Sequence, residues 1–224
     1  MFKSVHVIGA GRAGGAIRAR LAERSLAVTG GRAPDPDAEL VLLCVPDRVI
    51  DQVASAVPVG PWIAHVSGAT QLAALDPHER RFSVHPLQTL TRERGSEQLD
   101  GAWGAFSAET DEARKRARWL ANILGLRPFE VADADRTLYH TAAVVGGNFL
   151  VTLHDVAARL LTEVGAPEEA IVPLMARTIE NGFDLTGPIA RGDMTTVEAH
   201  LDVLTERAPD LLPLYRALAE ATRP

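Results

Sequence analysis

Apolar positions along this chain follow two rhythms, and the change between them divides it. Residues 5–8 form a short apolar run between Ser4 and Gly9, which predicts a buried parallel strand. Residues 12–24 follow at helical spacing, with Ile17 and Leu21 on one face and Arg18, Arg20 and Glu23 pointing elsewhere. Strands are predicted at 26–29 and at 40–45, the second stopped by Pro46. A helix at 49–57, a strand at 62–66 and a short helix at 71–75 come next. A strand at 82–84 is stopped by His85-Pro86, and a polar loop fills 91–100. A strand at 102–108, a helix at 112–124 ended by Gly125 and a last strand at 128–131 complete the alternation. Strands alternating with helices predict an α/β fold, a parallel sheet with helices on both faces. Beyond residue 131 the strand signal stops. Residues 133–164 predict one long helix with a weak point at Gly146-Gly147. Further helices are expected at 167–183, started by Pro167, and at 194–204 and 209–221. The reading is therefore two domains: an α/β part over 1–130 and an all-α part over 131–224.

Composition narrows the class. Of the 224 residues 46% are hydrophobic and 23% charged, which supports a packed core and argues against disorder. The formal net charge is -6 and no long basic run occurs, so nucleic acid is not the expected partner. Cys44 stands alone in an apolar run, which leaves neither an intrachain disulfide nor a cysteine zinc site. Met1-Phe2-Lys3-Ser4 leads straight into a strand, without the charged-then-apolar layout of a signal peptide. No stretch reads as the ~20 apolar residues of a membrane span. The expectation is a cytoplasmic protein with no membrane partner.

The first chemical signal is Gly9-Ala10-Gly11-Arg12-Ala13-Gly14. This G-x-G-x-x-G string follows a predicted strand and opens a predicted helix, the context that separates a dinucleotide fingerprint from chance. Gly9 permits the tight turn. Gly11 lets backbone approach a pyrophosphate at the helix N-terminus, and Gly14 allows helix to pack on strand. These residues, with Arg12 and Ala13, are the expected phosphate binders of a Rossmann-type sheet. The tip of the second strand departs from the usual plan. A site for NAD places an acid there, about 20 residues on, to hold the ribose 2′-hydroxyl. Here the tip reads Gly30-Gly31-Arg32, with no acid before Asp35. Arg32 suits a 2′-phosphate, and Arg12 could reach the same group, so NADP (NADPH) is the expected cofactor. Only Gly30 to Glu39 separates the second strand from the next. Fully extended, that connection spans at most ~33 Å. It can cross the sheet as bare chain but cannot hold a further helix and strand, since a helical crossover takes a dozen or more residues. The sheet is thus expected to be shortened, its usual third strand and helix missing, with the adenosine held loosely.

Several strings carry a family resemblance. They are Gly9-Ala10-Gly11-Arg12, Cys44-Val45-Pro46-Asp47, His65-Val66-Ser67-Gly68, His85-Pro86-Leu87-Gln88, Leu138-Tyr139-His140-Thr141-Ala142-Ala143, Asn148-Phe149 and Leu185-Thr186-Gly187-Pro188-Ile189-Ala190-Arg191-Gly192-Asp193. Together they resemble the Rossmann-like proteins with a DUF2520 domain, a branch of the 6-phosphogluconate dehydrogenase-like superfamily near pyrroline-5-carboxylate reductase and ketopantoate reductase. The resemblance implies an NADP-linked oxidoreductase whose helical second domain completes a homodimer. Ketopantoate or a related 2-keto acid is the substrate it suggests testing first. The missing strand and helix depart from the family pattern, as does Gly147, where relatives tend to carry Ser before the asparagine.

Candidate chemistry gathers at the carboxyl ends of the predicted strands. Val45, Pro46 and Ser67 are expected on the cofactor side. Reducing a carbonyl requires a proton for the new alkoxide, from a group that titrates near neutrality, and histidine does so without special tuning. Related hydroxyacid dehydrogenases use Lys and Asn at i and i+4 on the long helix. Counted back from Asn148, the lysine position holds Val144. The candidate catalytic residues are therefore His140 first, then His85, with Asn148. His6, His65, His78, His154 and His200 read as structural or solvated. Thr186 and Arg191, in a glycine-proline loop, could meet a substrate carboxylate. The structural alternative pairs Arg191 with Asp193 and makes Asp193 a helix N-cap. No metal motif and no nucleophile elbow occur. Two functions remain open: a reductase of a small carbonyl, and a catalytically degenerate dinucleotide-binding or interaction protein. A methyltransferase is disfavoured, because an arginine stands where an acid should hold the ribose.

Overall fold

A computed structural model describes residues 1–222 of the chain. Two compact units divide at Gly147, the first running from Met1 to Gly147 and the second starting at Asn148.

The first unit is built on seven strands: β1 (Ser4–Ile8), β2 (Ala27–Gly30), β3 (Leu40–Leu43), β4 (Trp62–His65), β5 (Arg81–Leu87), β6 (Trp103–Ser107) and β7 (Arg127–Glu130). Their spatial order is β2-β1-β3-β4-β5-β6-β7. β2 is therefore an edge, with no strand beyond it, as the short connection after it requires. Residues 31–39 contain no helix or strand. They fold back along β1: Ser4 Oγ donates to the Asp37 carbonyl at 3.3 Å, Glu39 N donates to Ser4 Oγ at 3.0 Å, and Ala38 is buried.

β1 to β5 run parallel, but the sheet is mixed rather than all parallel, because β6 pairs antiparallel with β5 and β7 follows β6. The polar loop after β5 holds only the 3-10 turn Ser96–Leu99, not the crossover helix a parallel return would need. Pro86 does not stop β5, which runs on to Leu87. The β4 ladder ends at His65↔Ser83, whereas the β6 ladder runs from Ser83 to Leu87. Beyond Ser83 one side of β5 is unpaired, so a residue without an N–H is tolerated there. The same offset leaves His85 projecting past the end of β4.

Helices α1 (Arg12–Glu23) and α3 (Asp111–Ile123) cover one face, where Ile17, Leu21, Leu42, Phe82, Phe106 and Leu120 pack together. α3 starts where Thr110 accepts a hydrogen bond from Ala113 N, with Asp111 and Glu112 favouring the helix dipole. α2 (Ile50–Ser55) and the turn Leu72–Leu75 cover the other face over Ile8, Leu43 and Ile63. α4 (Arg136–Gly146) ends the unit.

The second unit is helical: α5 (Asn148–Glu163), α6 (Ile171–Glu180), α7 (Met194–Arg207) and α8 (Leu212–Ala221). The single long helix expected over 133–164 is thus two, α4 and α5, parted at Gly147. The run Asp133–Glu163 is, by length and composition, apolar enough to cross a membrane, and holds an 18-residue stretch with a mean hydropathy of 1.2. That departs from the expectation of no such run.

Candidate functional site

The phosphate loop folds as its glycines dictate. Gly9 has φ +116°, and a Cβ there would overlap the Cys44 carbonyl. A Cβ on Gly14 would overlap the Gly9 carbonyl. Gly11 differs: a Cβ there would meet nothing within 4 Å, so its backbone faces open space. Gly11 is the N-cap of α1, with no side-chain cap and no acid in the first turn. The first-turn amides are thus left for an outside acceptor, and no carboxylate competes from within the helix. Ala13 is partly buried against the core and Arg12 is exposed. Arg12 also helps hold the Glu93 carboxyl below its usual range, after the larger effects of local hydrogen bonds. Glu93 is therefore within electrostatic reach of the loop. This backbone cradle fits the pyrophosphate of a dinucleotide.

At the strand tip the acid is already committed. Asp35 Oδ2 accepts from Thr29 Oγ at 2.9 Å and Oδ1 from Asp37 N at 3.0 Å, and these bonds lower its pKa, the Asp37 amide contributing most. Thr29 Oγ also meets His6 Nδ1 at 2.8 Å. Asp35 thus braces the connection that replaces the missing strand. Arg32 is exposed, with no ion pair among the described residues. The Arg18 guanidinium lies against Gly30, a residue the sequence pattern did not single out.

On the other side of the sheet's carboxyl edge, α4 is pinned by Arg136. This side chain is wholly buried. Its Nε donates to the Thr70 carbonyl at 2.6 Å, Nη1 to Ser83 Oγ at 2.5 Å and Ser107 Oγ at 2.8 Å, and Nη2 to the Ser67 carbonyl. Burial lowers its guanidinium pKa. A buried charge of this kind persists only with its donors satisfied. Asp133 adds a second tie, accepting from Leu72 N at 3.0 Å.

Arg136 sets the next turn of α4, Tyr139 and His140, against β5. His85 Nδ1 lies 2.7 Å from the Tyr139 hydroxyl. The His85 and His140 rings are edge to face, with centroids 5.9 Å apart. Gly68 makes this convergence possible, since a Cβ there would overlap His140 Cδ2 and press on the His85 ring edge. Burial, then His140 and Arg136, pushes the His85 pKa down to about 4. Burial, Arg136 and His85 push that of His65 down to about 3. His65 is fully buried, and neither of its ring nitrogens has a protein partner.

The structure thus brings His85 and His140 together. It joins to them Gly68, and Tyr139 and Arg136, to which sequence reasoning gave no role. Gly68 and Tyr139 were visible as members of family strings, next to Ser67 and His140. The Ser67 hydroxyl caps its own turn, accepting from Thr70 N at 3.0 Å and donating to Thr70 Oγ at 2.9 Å. Val45 packs on the α2 face, and exposed Pro46 precedes the turn into α2. Asn148, Thr186 and Arg191 belong to the second unit, all exposed. There Asp193 is the N-cap of α7, accepting from Thr196 N at 3.1 Å and Thr196 Oγ at 2.7 Å. No group of metal-ligating side chains occurs among the described residues.

Comparison with known proteins gives one family and many structures of similar fold. The model of a domain of unknown function, DUF2520, matches residues 104–222. No curated protein matches the chain. A Bacteroides fragilis protein, provisionally named an NADP oxidoreductase, is 20% identical with a TM-score of 0.82, covering 98% of this chain and 97% of that one. A Thermotoga maritima protein is 23% identical with a TM-score of 0.79, covering 97% and 96%. The 1-pyrroline-5-carboxylate reductase of Streptococcus pyogenes is 15% identical with a TM-score of 0.63, covering 98% and 96%. These likenesses are of fold, and the fold is that of the Rossmann dinucleotide-binding oxidoreductases.

Proposed function

We propose that this chain, which belongs to the DUF2520 family, is an NADP-dependent oxidoreductase that reduces a small carbonyl substrate. A 2-keto acid such as ketopantoate is the first to test. The observation that carries the reading is one sheet edge that bears both an uncapped glycine-lined helix N-terminus and a pair of converging histidines. The names of the structural neighbours, an NADP oxidoreductase and a pyrroline-5-carboxylate reductase, support the same class.

In this reading the α1 amides and Gly11 hold the pyrophosphate, and Arg32 meets the 2′-phosphate. The commitment of Asp35 to Thr29 and the Asp37 amide supports NADP over NAD, because that carboxylate is not left for a 2′-hydroxyl. Bound NADPH supplies a hydride. His140 supplies the proton that the substrate oxygen takes up as the carbonyl carbon is reduced, and His85 orients that oxygen. Arg191 and Thr186 are proposed for a substrate carboxylate, and Asn148 for a catalytic role. The protein acts as a homodimer in the cytoplasm.

Two observations favour a second reading. Val144 holds the position at which related dehydrogenases carry a lysine, and β2 is a bare edge. A degenerate dinucleotide-binding protein would look the same there. Titration with NADPH and NADH, followed by NADPH oxidation with a panel of 2-keto acids and cyclic imines, separates the two. Saturable NADPH binding tighter than NADH, with turnover on one substrate, is expected. His140→Ala should then abolish turnover and spare NADPH binding. Failure of both cofactors to bind at millimolar levels would sink the enzyme reading.

A further inference from the structure

We propose that Tyr139 is a positioning residue: its hydroxyl donates to His85 Nδ1 and fixes His85 as the tautomer whose one ring proton is on Nε2, beside Gly68. His85 is then a hydrogen-bond donor to substrate oxygen, and proton delivery is left to His140. The role of His85 rests on the reductase reading above; the tautomer does not.

The geometry carries the assignment. A single proton lies in the 2.7 Å contact between Nδ1 and the phenol oxygen. If Nδ1–H were the donor, the phenol proton would be left without a protein acceptor, since Tyr139 makes no second hydrogen bond among the described residues. If the phenol donates, one proton satisfies both groups, and the imidazole must carry its own proton on the opposite nitrogen. That nitrogen lies beside Gly68, 3.1 Å from where a Cβ there would stand. Tyr139 is itself held: its ring packs edge to face on His85 and on Phe129, at 5.6 and 5.8 Å.

The surrounding charges agree. His85 is faced by His65 from β4, Arg136, Tyr139 and His140 from α4, and Asp47 from the turn after β3. Burial with the positive side chains keeps its ring neutral near pH 7. Burial raises the Tyr139 pKa to about 12, so its proton stays on and is available to donate. A neutral imidazole has one proton to give, and the partner of its other nitrogen decides where that proton stands.

The test reads the tautomer directly. Long-range nitrogen–proton correlation spectra of the 15N-labelled wild-type protein at pH 7 should show His85 Nδ1 unprotonated and Nε2 protonated. Tyr139→Phe should mix the tautomers. On a turned-over substrate it should lower kcat tenfold or more, with NADPH affinity and KM changed less than twofold. A protonated Nδ1 in the wild type would overturn the proposal, as would an unchanged His85 spectrum in a folded Tyr139→Phe protein. If the spectra are as expected but NADPH does not bind, the reductase reading fails while the tautomer assignment stands. If NADPH is oxidised but Nδ1 carries the proton, only this inference fails.

Discussion

Arg136 is the residue on which the candidate site depends. Its guanidinium joins the loop after β4 and strands β5 and β6 to the first turn of α4 through four acceptors. Arg136→Ala would take this donor from two carbonyls and one partner each from the Ser83 and Ser107 hydroxyls, which keep bonds to Ser107 N and the Val131 carbonyl. Unsatisfied buried groups cost about 1–3 kcal/mol each, and some will find each other, so a loss of roughly 3–5 kcal/mol in urea unfolding is expected. A loss below about 1 kcal/mol would show that α4 is held otherwise. The buried histidines add a pH dependence. Unfolded, both His65 and His85 take up protons near pH 6.5. Folded, they resist until about pH 3 and about pH 4. Between those limits the unfolded state binds more protons, so stability falls as pH falls, by about 1.4 kcal/mol per pH unit for each histidine. Above pH 7 neither contributes. The urea midpoint should be level above pH 7 and decline below 6.5, and His65→Gln should flatten the decline. An unaltered slope in that variant would remove His65 as a cause. None of this was legible in the sequence, because a single arginine at a helix start does not announce that it is buried. His85 and His140 could be named as chemical types. Their meeting depends on β5 outrunning β4, which no local pattern encodes.

At the scale of elements, the strand–loop–helix of the phosphate site was legible because each glycine has a local steric reason. The structure separates those reasons, and so predicts different outcomes for two similar substitutions. Gly14→Ala sets a methyl group into the Gly9 carbonyl and should lower the melting temperature or prevent folding. Gly11→Ala meets no protein atom, and its φ of -72° suits alanine, so its melting temperature should match the wild type. It should nevertheless weaken NADPH binding tenfold or more, since the space it fills is that of the ligand. Unchanged binding in a folded Gly11→Ala protein would place the dinucleotide elsewhere. The short connection after β2 was legible from length alone, because ten residues cannot supply a strand and a crossover helix. The reversal of β6 was not. Strand propensity carries no direction, and only the lack of a helix in the preceding loop hints at it. The parting of α4 from α5 was half visible, in that the glycine pair marked the weak point but not its outcome.

For the whole molecule, the question is what covers the second unit. Among its described residues only Ala158, Val197, Leu204 and Ala208 are buried hydrophobics. So small a core does not stabilise a helical unit of this length in water. Large apolar side chains stand outside instead, among them Phe149 and Val151 on α5 and Val172 and Leu174 on α6. A lipid bilayer is a poor cover. α4 is anchored by Arg136, so the apolar run containing it cannot cross while the first unit is folded. α5 carries Arg159, held by Asp210 at 2.6 and 2.9 Å, and the His154–Asp155 pair, charges that are costly in hydrocarbon. A second copy of the chain presents the same apolar helices and needs the same cover, which a two-fold interface meets at one stroke. Sedimentation equilibrium without detergent should give twice the 24.0 kDa chain mass. Val151→Lys with Leu174→Lys should shift the protein toward one copy, because each lysine would have to be desolvated at the interface. A wild-type monomer at tens of micromolar, or cosedimentation with lipid vesicles in place of self-association, would show that the exposed helices serve another partner.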